Sequence, residues 1–238
     1  MSATLHIISS GSQGNNYILD CNGEKLIIEL GVQFKRILKV LNYNLDGVAG
    51  CCVSHIHKDH STAIPNALSY GLRVFAPPSV CEIYPKCKCV EHLHKYKVGG
   101  FTIMPLSVEH NCECFAYIIE HKDMGRLVFA TDLKSFPYKI PDVSCLMLEC
   151  NYCEETVLEN LCNGADIHSR PDNHLSLEKT LEATRRLYSA KLNKVILLHL
   201  SDGNSNENLI KRRFNEELGI DVLIAESGLT VDLKEDDF

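Results

Sequence analysis

The stretch SHIHKDHS at residues 54–61 constrains what this chain can be more than any other. It places three histidines and one aspartate within six positions, after a buried-strand pattern and before a helix-like segment. His55 and His57 are two residues apart, so in extended chain they project to the same side and suit one metal ion. Asp59 and His60 lie where the chain turns, and they suit a second ion. Imidazole and carboxylate donors match zinc, iron or manganese.

Three further polar residues stand at the ends of predicted strands. His110 ends FTIMPLSVEH, Asp132 ends RLVFATD and His199 ends KVILLH. Loops at strand ends commonly build functional sites on a rigid scaffold. Together with the histidine-rich stretch, these residues supply enough donors for two metal sites.

The rest of the chain reads as short strands followed by alternating helices and strands. LHIIS, NYILD and KLIIE have strand patterns broken by turn signals, and LSLEKTLEATRRLYSA places Leu177, Leu181, Thr184 and Leu187 on one helical face. Strands followed by helices, twice over, predict an α/β protein with two sheets back to back and helices outside. The absence of a repeat or linker pattern favours one domain over residues 1–238.

Composition indicates an ordinary globular protein with an unusual number of thiols. The 238 residues contain no apolar run long enough to cross a membrane, and the N-terminus lacks a signal-peptide pattern, so we expect a cytoplasmic protein with no membrane partner. The 12 cysteines are then expected to be reduced. Cys87, Cys89, His92 and His94 could form a structural zinc site or be ordinary surface-loop or packing residues.

The order of these motifs resembles the metallo-β-lactamase fold superfamily. H-x-H-x-D-H is followed by a His, an Asp and a His at strand ends, and the resemblance covers essentially the whole chain. The segments SSGSQGNNYIL, ATDL, NHLS and LLHLSDGNSN resemble the YycJ/WalJ-like hydrolases, which are related to RNase Z. The resemblance implies a four-layer αββα sandwich, two mixed sheets with helices outside, and a dinuclear centre in the cleft between the sheets.

The resemblance also implies a role for each donor. The first ion would be held by three histidines, the second by two histidines and an aspartate, and one aspartate would bridge the two ions. These residues are, in that order, His55, His57 and His110; Asp59, His60 and His199; and Asp132.

His174 in NHLS matches the family's histidine that is not a ligand and that donates a proton to the leaving group. In glyoxalase-like relatives the last ligand precedes such a helix, which makes His174 an alternative to His199. We favour His199, since it ends a buried strand. The candidate catalytic residues are therefore Asp59 and His174. Many relatives have Asp-x-Gly where this chain has Glu29-Leu30-Gly31, which changes the support of a ligand.

The predicted activity is hydrolysis by a metal-bridging hydroxide. Two divalent ions, zinc with manganese or iron as alternatives, would serve a phosphodiesterase or nuclease of the exonuclease type. The alternatives are a phosphodiesterase of small or cyclic nucleotides, which the net charge of −7 favours, a lactone or thioester hydrolase, and a non-catalytic metal-binding protein. The partner is then a nucleic acid or a nucleotide. The oligomeric state is open, with a homodimer as one option.

Two features of the sequence could contact a phosphate, the loop at residues 9–14 and Arg170. The backbone N–H groups of the loop at residues 9–14 either meet a phosphate or form an ordinary tight turn. Arg170 is either a phosphate clamp or a plain loop arginine.

Overall fold

The computed structural model describes residues 2–163 and 173–234. The described strands, in chain order, are β1 (Ala3–Ser9), β2 (Asn16–Cys21), β3 (Glu24–Ile28), β4 (Val48–Cys52), β5 (Val74–Ala76), β6 (Lys88–Cys89), β7 (Tyr96–Val98), β8 (Phe101–Val108), β9 (Cys114–His121), β10 (Gly125–Ala130), β11 (Cys145–Glu149), β12 (Lys194–Leu198), β13 (Leu223–Ile224) and β14 (Thr230–Asp232). The described helices are α1 (Phe34–Val40), α2 (Lys58–Ser61), α3 (Ile64–Ser69), α4 (Pro78–Ile83), α5 (Glu154–Cys162), α6 (Leu177–Leu187) and α7 (Glu207–Leu218).

The strands form two mixed sheets of seven strands each. The first has the order β14-β1-β2-β3-β4-β5-β6 and the second has the order β13-β12-β11-β10-β9-β8-β7. In each sheet one half is antiparallel and the other, from β3 to β6 or from β10 to β13, is parallel. Parallel strands end at the same edge of a sheet. The loops that follow β4, β10, β11 and β12 therefore gather at common edges.

Three apolar clusters separate the layers. The largest lies between the sheets and combines residues such as Tyr17 of the first sheet with Phe129 of the second, whose rings meet edge to face at 5.6 Å. A second cluster fills the outer face of the second sheet under α6 and α7. A third fills the outer face of the first sheet under α1, α3 and α4. The predicted four-layer αββα sandwich is therefore confirmed.

Helix α6 shows how the sequence pattern produces this packing. Its buried side chains include the four residues predicted to share one face, namely Leu177, Leu181, Thr184 and Leu187. The helix begins after Ser176, whose side chain accepts a hydrogen bond from the backbone N–H of Lys179. Such a cap satisfies one of the helix's unpaired N–H groups. The helix start is thereby fixed close to His174.

Two segments that the sequence suggests are loops contain regular structure. Residues 78–95 include α4 and the short strand β6, and the described part of residues 151–173 includes α5. Both helices are short, and α5 buries no side chain, so neither carries a clear helical repeat of apolar residues. Among the helices of the described residues, none has the length and hydrophobicity that a membrane crossing requires.

The two sheets are also joined by hydrogen bonds next to the histidine-rich stretch. The backbone N–H of Phe115 donates to the carbonyl of Ser54 at 3.0 Å, and the Tyr117 hydroxyl donates to the carbonyl of Val53 at 2.7 Å. Both donors belong to β9, and both acceptors follow β4. These bonds fix the histidine-rich loop of the first sheet against the second sheet.

The Tyr117 hydroxyl should therefore contribute measurably to stability. Tyr117→Phe removes a fully buried donor and leaves the Val53 carbonyl without this partner, so the free energy of unfolding should fall by about 1–2 kcal/mol. Urea denaturation followed by circular dichroism measures this. Tyr188→Phe, at a tyrosine that is 60% exposed, is the matched control and should change the free energy little. Equal stability of the two variants would contradict the role given to Tyr117.

Candidate metal centre

The predicted site residues converge at the edge where the parallel strands of both sheets end. The loop after β4 supplies His55, His57, Asp59 and His60, the last two on the single turn α2. The second sheet supplies His110 after β8, Asp132 after β10 and His199 after β12. The site is therefore built from both sheets.

The first donor group consists of His55, His57 and His110. Nε2 of His55 lies 2.9 Å from Nδ1 of His57, and Nε2 of His110 lies 3.4 Å from the same atom. Two nitrogens bound to one tetrahedral zinc at 2.0–2.1 Å would be about 3.4 Å apart. Three imidazoles that converge at this spacing can hold one ion.

The second donor group consists of Asp59, His60, Asp132 and His199. Nε2 of His60 lies 2.6 Å from Oδ2 of Asp132 and 3.2 Å from Oδ2 of Asp59, and Nε2 of His199 lies 3.7 Å from the latter oxygen. One donor atom from each residue lies within 4.8 Å of the others. The structure thus brings all seven predicted ligands into two adjoining groups.

Asp132 stands between the two groups. Its Oδ2 is 2.6 Å from His60 and 3.5 Å from Nε2 of His55, a member of the first group. The residue is buried and has a φ of +52°, a left-handed conformation that costs a non-glycine residue energy. Its position fits the bridging role that the resemblance implies.

Buried polar atoms test whether an ion fits here. Within the described residues, Oδ1 of Asp132 and Nε2 of His199 are buried and have no hydrogen-bond partner. Burying a polar atom without a partner costs free energy. Both atoms belong to the second group, so a bound cation would supply the missing partner. The donor set and its unpaired atoms therefore fit divalent metal ions.

The titration of the site follows from burial and from the neighbouring charges. Burial lowers the pKa of His199, but the carboxylates of Asp132, Asp59 and Glu149 outweigh it and raise the pKa to about 9. Burial lowers the pKa of His110 to about 4. Burial raises the pKa of Asp59, yet the adjacent imidazoles of His199 and His60 more than reverse this and hold it far below its usual range. Neighbouring imidazoles likewise hold the pKa of the buried Asp132 far below its usual range, so Asp59 and Asp132 are anions at neutral pH.

Glu29 supports the second group in spite of its longer side chain. Its buried carboxylate accepts a hydrogen bond from the backbone N–H of Ser54 at 3.1 Å and lies 3.5 Å from Nδ1 of His60. Glu29 has a φ of +64°, which turns the chain sharply after β3. Although Glu29 replaces the aspartate of Asp-x-Gly, a carboxylate still contacts the predicted ligand His60.

His174 lies beside the second group and contacts a residue that the sequence reading missed. Its Nδ1 is 2.6 Å from Oε1 of the fully buried Glu149, and its ring stacks on that of His199 at 5.4 Å. Oε2 of Glu149 accepts backbone hydrogen bonds from Leu133 and Leu175. Glu149 ends the buried run SCLMLE, so its place at a strand end was a usable signal.

His174 and His199 both lie where an ion could be held. His199 belongs to the second donor group, and a further group of Asp132, Glu149, His174 and His199 is also close enough to hold an ion. The contact of Nδ1 of His174 with Glu149 leaves its Nε2 available, so His174 stays an alternative to His199 as a ligand.

Two more residues, which have no distinctive sequence motif, contact predicted ligands. Nδ2 of Asn151 donates to the carbonyl of His199 at 2.8 Å and lies 3.1 Å from its Nδ1. Cys112 brings its sulphur to 3.9 Å from Nε2 of His57. Neither residue has a sequence signal of its own, because each meets its histidine only through the fold.

The loop at residues 9–14, a candidate for phosphate contact, forms a tight turn instead. Within the loop at residues 9–14, Gly14 donates its N–H to the carbonyl of Gly11, and Gly11 donates to the side chain of Asn15, as in a tight turn. Ser10 of this loop accepts a hydrogen bond from the backbone N–H of His199 at 3.0 Å. The loop therefore supports His199, a predicted metal ligand. Arg170 lies outside the described residues.

The alternative zinc site at Cys87, Cys89, His92 and His94 does not form. In the described part of the chain, the groups of donors close enough to hold an ion do not include these residues. Cys87 is buried while Cys89 is exposed, and Nδ1 of His92 accepts a hydrogen bond from the backbone of Ser107. The interpretation as surface-loop and packing residues is the one that the structure supports, with Cys87 packed in the third apolar cluster.

Sequence comparison finds relatives that include nucleases. A family model described as Anti-Pycsar protein Apyc1 matches residues 8–72. The exodeoxyribonuclease WalJ of Streptococcus pneumoniae is 24% identical over 250 residues, covering 96% of this chain and 91% of that protein. Ribonuclease Z of Clostridium kluyveri is 29% identical over 131 residues, covering 43% of this chain and 42% of that protein.

Comparison of structures finds the same architecture. The metallo-β-lactamase fold protein YhfI from Bacillus subtilis superposes with a TM-score of 0.77 and is 17% identical, covering 98% of this chain and all of that one. The chain therefore has the metallo-β-lactamase fold.

Proposed function

We propose that this protein is a dinuclear-metal-dependent phosphodiesterase that cleaves nucleic acid in the manner of an exonuclease. The observation that carries the proposal is the pair His174 and Glu149, held 2.6 Å apart beside two donor groups that meet at Asp132. A phosphodiester needs both charge neutralisation and a proton for its leaving oxygen, and this arrangement offers both. The names of the relatives WalJ and ribonuclease Z support a nucleic acid substrate.

The residues that would hold the ions are the seven predicted ligands. His55, His57 and His110 would bind the first ion, Asp59, His60 and His199 the second, and Asp132 both. Ions bound there would lower the pKa of water towards 7 and neutralise charge on the attacked phosphate.

The protein's own side chains would handle the protons. Asp59, an anion between His60 and His199, is placed to accept a proton from the attacking water. Glu149 accepts the Nδ1–H of His174, so Nε2 is the ring nitrogen left to meet the substrate. That nitrogen would donate a proton to the leaving oxygen, as a general acid does.

The cysteines bear on the cellular compartment, and the net charge bears on the substrate. All 12 cysteines are free thiols in the structure, which suits a reducing cytoplasm. A phosphodiesterase of small or cyclic nucleotides remains the second candidate, because a net charge of −7 is unfavourable for long polyanions.

Metal loading and substrate choice test the proposal directly. Purified protein loaded with zinc or manganese should cleave 5′-labelled DNA or RNA faster than cyclic nucleotides, lactones or thioesters. His57→Ala and Asp132→Ala each remove a ligand, so we expect them to lose bound metal and at least ~100-fold in rate. The exposed His94 provides the matched control, and His94→Ala should retain the bound metal and the wild-type rate. Metal-loaded protein that cleaves only lactones or thioesters would contradict a phosphodiesterase.

A separate experiment tests the role of His174. His174→Ala should slow cleavage of an oligonucleotide by about 10²–10⁴-fold, because its alkoxide leaving group needs a proton. Bis-p-nitrophenyl phosphate should lose much less, since nitrophenolate leaves without protonation. Metal content, measured by mass spectrometry, should stay at the wild-type value. An equal loss on both substrates would argue against proton donation, and loss of metal would instead make His174 a ligand.

A further inference from the structure

Cys112 lies beside the first donor group and has no role in the function proposed above. It follows His110 by two residues in the loop between β8 and β9, and its side chain is half-buried. Its sulphur lies 3.9 Å from Nε2 of His57. One donor atom each from His55, His57, His110 and Cys112 lies within 4.8 Å of the others. A thiol thus joins three converging imidazoles.

The chemistry of this set differs from that of three histidines alone. Zinc prefers four donors drawn from nitrogen and sulphur, whereas manganese prefers oxygen donors. Sulphur and nitrogen bound to one tetrahedral zinc, at 2.3 Å and 2.0–2.1 Å, would be about 3.6 Å apart. The 3.9 Å contact is to Nε2 of His57, whereas Nδ1 of His57 faces His55 and His110. The sulphur nevertheless lies within 4.8 Å of a donor atom of each histidine, and rotation of a half-buried side chain can shorten that distance.

A neighbouring thiol shows that proximity alone does not give this arrangement. Cys114 brings its sulphur to 3.8 Å from Nδ1 of His55, but that nitrogen already meets the Ser54 hydroxyl at 2.8 Å. The Cys114 thiol also donates to the carbonyl of Thr131, and the residue is only 1% exposed. Cys114 therefore packs behind His55, whereas Cys112 stands at the accessible side of the group.

We propose that Cys112 is a fourth protein ligand of the ion held by His55, His57 and His110, and that it makes this position select zinc over manganese. The inference rests on the proposed metal centre and deepens it by naming the metal. On binding, the thiol becomes a thiolate and its proton passes to the solvent.

Cobalt substitution tests the ligand assignment without measuring activity. Co²⁺ bound by any of these donors gives weak visible bands, whereas a thiolate ligand adds a strong near-ultraviolet charge-transfer band. Wild type should show both features. Cys112→Ser should keep the visible bands and lose the near-ultraviolet band. Cys162→Ser, which changes an exposed thiol on α5, should behave like wild type.

Each other outcome has a distinct meaning. Visible bands without the near-ultraviolet band in wild type overturn the thiolate ligand and leave the metal centre standing. A near-ultraviolet band that survives in Cys112→Ser also overturns it. Absence of all cobalt bands overturns the metal centre proposed above, and this inference with it.

Metal selectivity provides a second, independent readout. In equilibrium dialysis against zinc and manganese together, Cys112→Ser should show a zinc-to-manganese preference lower by about tenfold or more than that of Cys162→Ser. The bound metals are counted by mass spectrometry. An unchanged preference would contradict the selectivity given to Cys112.

Discussion

The burial of Asp132 against imidazoles from the opposite sheet is the interaction on which the rest of the site depends. A buried carboxylate must be compensated by partners, because desolvating a charge is expensive. Asp132 comes from the second sheet, while His55 and His60, which face it, come from the first. The contact can form only when the sheets are stacked in register. Hydrogen bonds from Phe115 and Tyr117 to the loop after β4 hold that register.

Much of the architecture and the site was predictable from the sequence, for a physical reason. Several predicted ligands follow strands, and strand ends are visible as apolar runs that stop at a polar residue, as in KVILL before His199. Glu149 fits the same rule and could have been found. Asn151 and Cys112 could not, because their contacts with His199 and His57 join residues far apart in the chain. The short helices α4 and α5 were missed because they lack a repeated apolar face.

Three residues of the site have a strained backbone. Glu29, Asp132 and His199 all have positive φ, at +64°, +52° and +55°. A left-handed conformation costs an L-residue roughly 1–2 kcal/mol. Each of these residues directly follows a strand or comes two positions after one, so the strain bends the chain where a side chain must point into the cleft. The stacked sheets over-determine these bends, which is how such conformations persist at functional sites.

The split of the site between two sheets also sets the order in which a growing chain can acquire it. The donors of the first group, with Cys112, all precede residue 113, whereas the second group is incomplete until His199 has been added. At about 5–20 residues per second, the two groups become complete roughly 10 seconds apart. The donors of the first group, with the proposed ligand Cys112, are therefore all synthesised before the second group is complete. The timing of synthesis separates the first chance to capture an ion from the first chance to use it.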